Sequence, residues 1–337
     1  MSDWKLILGH SRAVAALKRV AEQERPNHAY LFLGGEGVGK ATLAQTFARA
    51  LACTASPESR PCGACSDCCK TIAGSHPDLW TESPGGKSNT ITSDQITELQ
   101  RRLSYRKSEA RHRVIVIDGA GAMNTQAQNK LLKTLEEPPP ETTIILCALH
   151  PSQMLATVRS RCQKVTLGNI QTVDLANWLV QKHAVSMKTA ELAAAAARGR
   201  PGRAIELLDE DTALERSTQL TRLGAAMAGD RDSIEELLQT VNRDRDPKAC
   251  REACREVLNT LQELLRDAMA EAAGSEVSAI HPGLKPRQGR MLSLGPRQLA
   301  ERVGRIEASR ERLHRNVDPV GLLEDLLVHL AVEAPRP

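Results

Sequence analysis

Aromatic side chains are nearly missing from this sequence: Trp, Tyr and Phe together make up 2% of 337 residues. That scarcity argues against the aromatic stacking platforms on which single-stranded nucleic acid is bound. An excess of one charge sign is lacking too, since 45 Lys and Arg stand against 41 Asp and Glu, leaving +4. Such a balance does not mark a nucleic-acid binder. Locally, Arg101, Arg102, Arg106 and Lys107 form a basic run that is a candidate DNA contact, although runs of this kind are ordinarily solvated helix faces. No segment nears the ~20 uninterrupted apolar residues of a membrane span, and the opening MSDWKLILGHSRAVAALKRV has no apolar stretch of signal-peptide length. A soluble, cytoplasmic protein without a membrane partner is therefore expected. Internal repeats and low-complexity tracts are absent as well.

Cysteine, by contrast, is plentiful, with nine residues. Without an export signal, disulfides are disfavoured and metal binding is favoured. Cys53, Cys62, Cys65 and Cys68 follow the spacing Cys-x8-Cys-x2-Cys-x2-Cys. Two-residue gaps let a tight turn direct successive thiolates at one ion, and four sulfurs close the tetrahedral shell that structural zinc prefers, with no position left for catalysis. Cys69 adjoins Cys68 and points elsewhere. An iron–sulfur cluster is the rival, because ferredoxins carry a similar run; the Cys-Pro that completes their pattern does not follow here.

The length predicts two or three domains with ample core. Near-continuous apolar runs at 29–35, 113–119, 142–149 and 163–168 read as strands buried on both faces. Between them, helical patterns fall at 14–23, after the glycine loop, and at 93–103 with Ser93 as N-cap. This alternation predicts a parallel sheet covered by helices on both faces. Beyond Gly168 the pattern is helical. Cys250, Cys254, Val257, Leu258, Leu261, Leu264, Leu265 and Met269 recur at spacings of three and four, the mark of a long amphipathic helix. Its stripe is expected to be covered by partner subunits, with a self-contained helical bundle as the alternative. A stretch rich in Gly, Pro and Ser at 274–295 precedes two further helices.

GGEGVGK, residues 34–40, lies between a predicted strand and a predicted helix, the context that a phosphate-binding loop requires. Gly34, Gly37, Gly39 and Lys40 are its candidate phosphate contacts. Hydrolysis needs more: a hydroxyl after the lysine and an acid ending a second strand, both to hold magnesium. Ala41 supplies no hydroxyl, and Thr42 stands one residue late. Asp118 is the metal-side acid, but Gly119 follows where such ATPases carry Glu. The third strand ends in Ala148 and Leu149 instead of a polar γ-phosphate sensor. Nucleotide binding stays open while hydrolysis is disfavoured.

HAYLFLGGEGVGKATLA, the cysteines followed by HPDLW, VIVIDGAGAMNTQAQNKLLKTLEEPPPETTIIL and RSRCQ together resemble the clamp-loader branch of the AAA+ proteins, and within it the delta-prime subunit family of bacterial DNA polymerase III. The motif-bearing match spans about residues 6–208. The resemblance implies an α/β P-loop AAA+ domain with a zinc-binding insertion at about 53–69 inside residues 1–168, a small helical lid domain at 169–208, and an all-α collar domain at 209–337. It further implies a stationary subunit that helps load a sliding clamp onto primed DNA during replication. Its partners would be gamma/tau motor subunits and a delta subunit, with the clamp and primer-template DNA reached through the assembled complex. In this family the Ser160-Arg161-Cys162 motif supplies an arginine finger in trans to the neighbouring motor subunit. Arg203 falls at a second phosphate-sensing position. On this reading the isolated chain is no enzyme, and any polymerase label belongs to the holoenzyme. The alternatives are an autonomous motor-type ATPase of the gamma/tau kind and a zinc-dependent nucleic-acid-binding module.

Overall fold

The structure is a computed structural model that describes residues 3–85, 90–227, 229–242, 246–274, 295–314 and 317–331. The stretch expected to link helices at 274–295 lies, apart from its end glycines, outside the described residues. The chain divides into two units, Met1–Ile205 and Glu206–Pro337.

The first unit begins with α1 (Ser11–Gln23), β1 (Ala29–Leu33), α2 (Lys40–Ala52), α3 (Ser66–Ile72), β2 (Leu79–Glu82), α4 (Ser93–Ser104) and β3 (Arg113–Ile117). It continues through α5 (Thr125–Glu136), β4 (Thr142–Ala148), α6 (Ala156–Arg159) and β5 (Gln163–Thr166) to α7 (Thr172–His183), α8 (Met187–Ala197) and α9 (Pro201–Glu206). Among the described residues the five strands form one parallel sheet in the order β2-β3-β4-β1-β5. Period-two alternation divides each inner strand between two cores. From β1, Tyr30 and Phe32 join α1 and α2 on one face, whereas Ala29, Leu31 and Leu33 join α4 and α5 on the other. Each such large side chain, fully buried, contributes roughly 1.5–3 kcal/mol. Of only two Tyr and two Phe in the chain, three meet in the first core, with Tyr30 edge-on to Phe47 at 5.2 Å and to Phe32 at 6.4 Å. The few aromatics serve packing.

Three local readings are corrected, the first being that β5, expected to be buried on both faces, is an edge strand with none of its four residues buried. Thr92, not Ser93, caps α4: its Oγ1 accepts from Gln95 N at 3.4 Å while Gln95 Oε1 accepts from Thr92 N at 3.0 Å. That reciprocal box needs a Gln or Glu three residues on, which Ser93 lacks. The edge strand β2 was not foreseen, because LWTE is short and only its first residue is fully buried.

The second unit holds α10 (Glu210–Met227), α11 (Arg231–Val241), α12 (Pro247–Ala272), α13 (Pro296–His314) and α14 (Pro319–Leu330). On α12, Cys254, Val257, Leu258, Leu261, Leu264 and Leu265 are buried in one core with Leu237, Leu299, Ile306 and Leu327 from the other helices. The stripe is thus covered within the chain, by α11, α13 and α14. A partner subunit is not required to bury it, and the self-contained alternative holds for this stripe. Among the described residues no helix is long and apolar enough to cross a membrane.

Candidate functional site

Loops at the carboxyl ends of β1, β3 and β4 meet where ligands bind in open parallel sheets. The loop after β1 is a tight backbone cradle. Gly34 has φ +157°, and a β-carbon there would stand 2.5 Å from Leu167 O. Gly37 has φ +72°, and its carbonyl accepts from Gly202 N at 3.0 Å, so the start of α9 packs on the loop. A β-carbon at Gly37 would also lie 3.3 Å from Arg203 N, which places the Arg203 backbone beside the cradle. Gly39, at φ +102°, caps α2. Lys40 opens that helix and is 9% exposed, with Nζ donating to the carbonyls of Gly34 at 2.8 Å and Gly35 at 2.7 Å. Burial holds Lys40 below the ordinary lysine range, and the carboxylates of Asp118 and Glu36 oppose that shift. Asp118 is therefore electrostatically in the site.

The catalytic neighbours differ. Ala41 is half-buried at the second residue of α2, and Thr42 is exposed one step further around the helix. Gly119 has φ +72°, and a β-carbon on it would meet Pro84 Cγ at 2.9 Å. A side chain at that position is strained by the backbone and crowds the Pro84 ring. Ala148 is buried at the end of β4, and Leu149 is 48% exposed. Burial pushes the adjacent Cys147 thiol up to about 12, leaving it neutral.

Ser160, Arg161 and Cys162 stand at the opposite end of the sheet. Ser160 Oγ donates to Thr157 O at 3.0 Å, closing α6. Cys162 is buried, and burial raises its thiol to about 11. Between them Arg161 turns outward, its side chain 36% exposed, with Nη2 paired to Glu136 Oε1 at 2.7 Å and Nη1 donating to Thr157 O at 2.9 Å. The register pairs Tyr30 with Gln163, so the loop that begins at Gly34 lies four residues farther along β1. At about 3.3 Å per residue that is roughly 13 Å, and residue 161 precedes β5 on the far side. Arg161 does not serve its own chain's loop.

The cysteines at 53, 62, 65 and 68 converge, with all four sulfurs within 4.8 Å of one another. Cys53 follows α2 and Cys65 caps α3. Backbone N–H groups of Cys65 and Ala64 point at Cys62 Sγ at 3.3 and 3.5 Å, and Cys68 N at Cys65 Sγ at 3.5 Å. Burial alone would raise the Cys65 thiol, but donors on Cys68 and Thr54 outweigh it and bring it down to about 6. This cluster can hold a metal ion. Cys69 is exposed and turned toward the carbonyls of Gly63 and Ala64, outside the four.

HPDLW, singled out only by resemblance, proves to anchor this module. His76 Nδ1 accepts from Asp78 N at 3.0 Å, which leaves Nε2 to donate to Asp67 Oδ1 on α3 at 3.2 Å. The buried Asp78 carboxylate accepts from the N–H groups of Ser108, Glu109 and Ala110 at 2.8–3.0 Å and faces Arg113 at 3.4 Å. Burial would raise its pKa; those donors overcome it and hold the carboxyl below the usual range.

Comparison with known proteins adds the lineage. Residues 9–171 match the family model described as DNA polymerase III, delta subunit. DNA polymerase III subunit delta' of Escherichia coli is 30% identical over 307 residues, covering 90% of this chain and 87% of that protein. The chain belongs to the DNA polymerase III delta' family. Subunit delta' of Bacillus subtilis is 28% identical over 322 residues, 95% of each chain. Subunit tau of Bacillus subtilis is 31% identical over 209 residues, 60% of this chain and 37% of that protein. The expected AAA+ fold class and a clamp-loader role in DNA replication stand with this delta' membership.

In this delta' family member the basic run is largely committed internally. Arg101 pairs with Glu98 at 2.7 Å and lies over Tyr105, Arg102 lies over Trp80, and Lys107 pairs with Glu141. These contacts favour the solvated-face reading over a DNA patch.

Proposed function

We propose that this chain is the non-hydrolysing stator of a DNA polymerase III clamp loader, supplying Arg161 in trans to a neighbouring gamma/tau-type motor subunit. The observation that carries this reading is the placement of Arg161: half-exposed beside edge strand β5, at the end of the sheet opposite its own phosphate loop. An arginine offered to a neighbour's transferring phosphate stabilises charge that develops there, an effect of about 10³ to 10⁵ in rate where such fingers act.

The loop keeps a backbone cradle for phosphates through Gly34, Gly37, Gly39 and Lys40, so ATP or ADP binding is compatible with it. Thr42, Asp118 and Arg203 are secondary contacts in this reading. Hydrolysis is opposed by Ala41, Gly119 and the apolar pair Ala148 and Leu149, which replace the groups that hold magnesium, polarise water and sense the γ-phosphate. Zinc is the proposed metal for Cys53, Cys62, Cys65 and Cys68. A tetrahedral shell with Zn–S of about 2.3 Å requires sulfurs roughly 3.8 Å apart, and Cys62–Cys68 and Cys53–Cys65 stand at 4.0 and 3.9 Å. Four protein ligands make such a zinc structural.

Residues 169–208 are read as the lid and 209–337 as the collar that joins the other subunits, including delta. Sliding clamp and primer-template DNA are engaged through the assembled complex, in the cytoplasm. The alternative is an autonomous motor-type ATPase. Incubating the purified chain with magnesium and ATP distinguishes them: no Lys40-dependent phosphate release is expected. Robust hydrolysis abolished by Lys40→Ala would establish the alternative.

A further inference from the structure

We propose that Glu136 is a positioning residue for Arg161, a role that rests on the trans-arginine reading above. Glu136 ends α5 within the LEEPP run, a motif to which the function so far assigns no task. Its Oε1 takes Arg161 Nη2 at 2.7 Å, while Thr157 O takes Nη1 at 2.9 Å. Two acceptors on two helices thus hold adjacent ends of one planar guanidinium and set its orientation. Their spacing is itself fixed, because Gln128 of α5 accepts from Leu155 N at 2.8 Å and donates to Gln153 O at 3.0 Å, tying α5 to the segment that starts α6.

The grip leaves capacity for a ligand. A guanidinium has five N–H donors; among the described residues one donates to Thr157 O while Glu136 pairs with it as an ion pair, and a phosphate takes two donors in a bidentate contact. Without Glu136, a half-exposed arginine spreads over many rotamers, and donors that must be reordered lose the benefit of preorganisation. The pair is open to solvent on both sides, 36% and 49% exposed, so it biases the side chain without locking it away from a phosphate.

The test uses the full-length chain reconstituted with its motor and delta subunits, with clamp and primed DNA, reading kcat and KM for ATP. Glu136→Ala is expected to lower kcat about two- to five-fold, the scale of a half-exposed ion pair, with KM unchanged. Glu136→Gln, which keeps an acceptor oxygen, should recover part of that loss. In an Arg161→Ala background, Glu136→Ala should do nothing further. If Arg161→Ala depresses turnover but Glu136→Ala does not, the positioning role is overturned while the finger stands. An equal loss from Glu136→Ala in both backgrounds overturns it too, since the effect would not pass through Arg161. Unchanged turnover in Arg161→Ala overturns the finger reading and the positioning role together.

Discussion

Lys40 and Arg161 handle positive charge in opposite ways at opposite ends of adjacent strands. Lys40 is 9% exposed and folded onto the carbonyls of its own loop, whereas the Arg161 side chain is 36% exposed and faces outward beside an edge strand. Lys40 stands beside Ala41, with Gly119 and Ala148 at the neighbouring strand ends, whereas the Arg161 guanidinium is held by Thr157 O and Glu136. A preserved motif therefore does not locate preserved chemistry. The set of groups around it does.

The largest expected effect sharpens this comparison through the cysteine cluster. Helix α2 begins at Lys40 and reaches Cys53 only after thirteen residues, about 20 Å, so a metal at the cysteines braces the end of α2 away from the phosphate loop, a module distinct from the Arg161 segment. Structural zinc contributes about 10 to 16 kcal/mol to the folding of small zinc-finger peptides. Strong chelation of the full chain is expected to lower the thermal midpoint and to raise amide exchange across 53–72, while protection at 156–166 persists. Equal loss at both places would break the distinction. Metal analysis should find about one zinc per chain; iron with a visible chromophore would replace the zinc assignment.

A smaller effect is expected at Gly119. Rebuilding the missing acid as Gly119→Glu forces a side chain into φ +72° and against Pro84 at 2.9 Å. It should destabilise by about 1–3 kcal/mol, read as a lower midpoint in denaturant, and give no hydrolysis even when combined with Ala41→Thr. A stable, hydrolysing double variant would mean that the two ends differ only by side chains.

Much of the scaffold was legible because the sheet is buried. Strands β1, β3 and β4 are flanked on both faces and read as continuous apolar runs, whereas β2 escaped notice as a short edge strand with one fully buried residue. The cysteine cluster was legible because ligand spacing is a local property. The cap of α4 was misplaced by one residue, since Thr92 and Ser93 are both good caps and only the partner at Gln95 decides. The anchoring of Asp78 by 108–110 and the pairing of Glu136 with Arg161 join residues distant in sequence, so no local pattern announces them. Likewise the α12 stripe was evident from its spacing, but its cover by α11, α13 and α14 is a tertiary outcome.

The central claim is that this chain acts through Arg161 and not through its own loop. It is tested most directly by measuring clamp- and DNA-dependent ATP turnover of the reconstituted loader with Lys40→Ala and with Arg161→Ala, side by side. The account expects Arg161→Ala to abolish turnover at the motor site that it faces and Lys40→Ala to leave turnover near the parent level. Loss of turnover with Lys40→Ala and none with Arg161→Ala would contradict it.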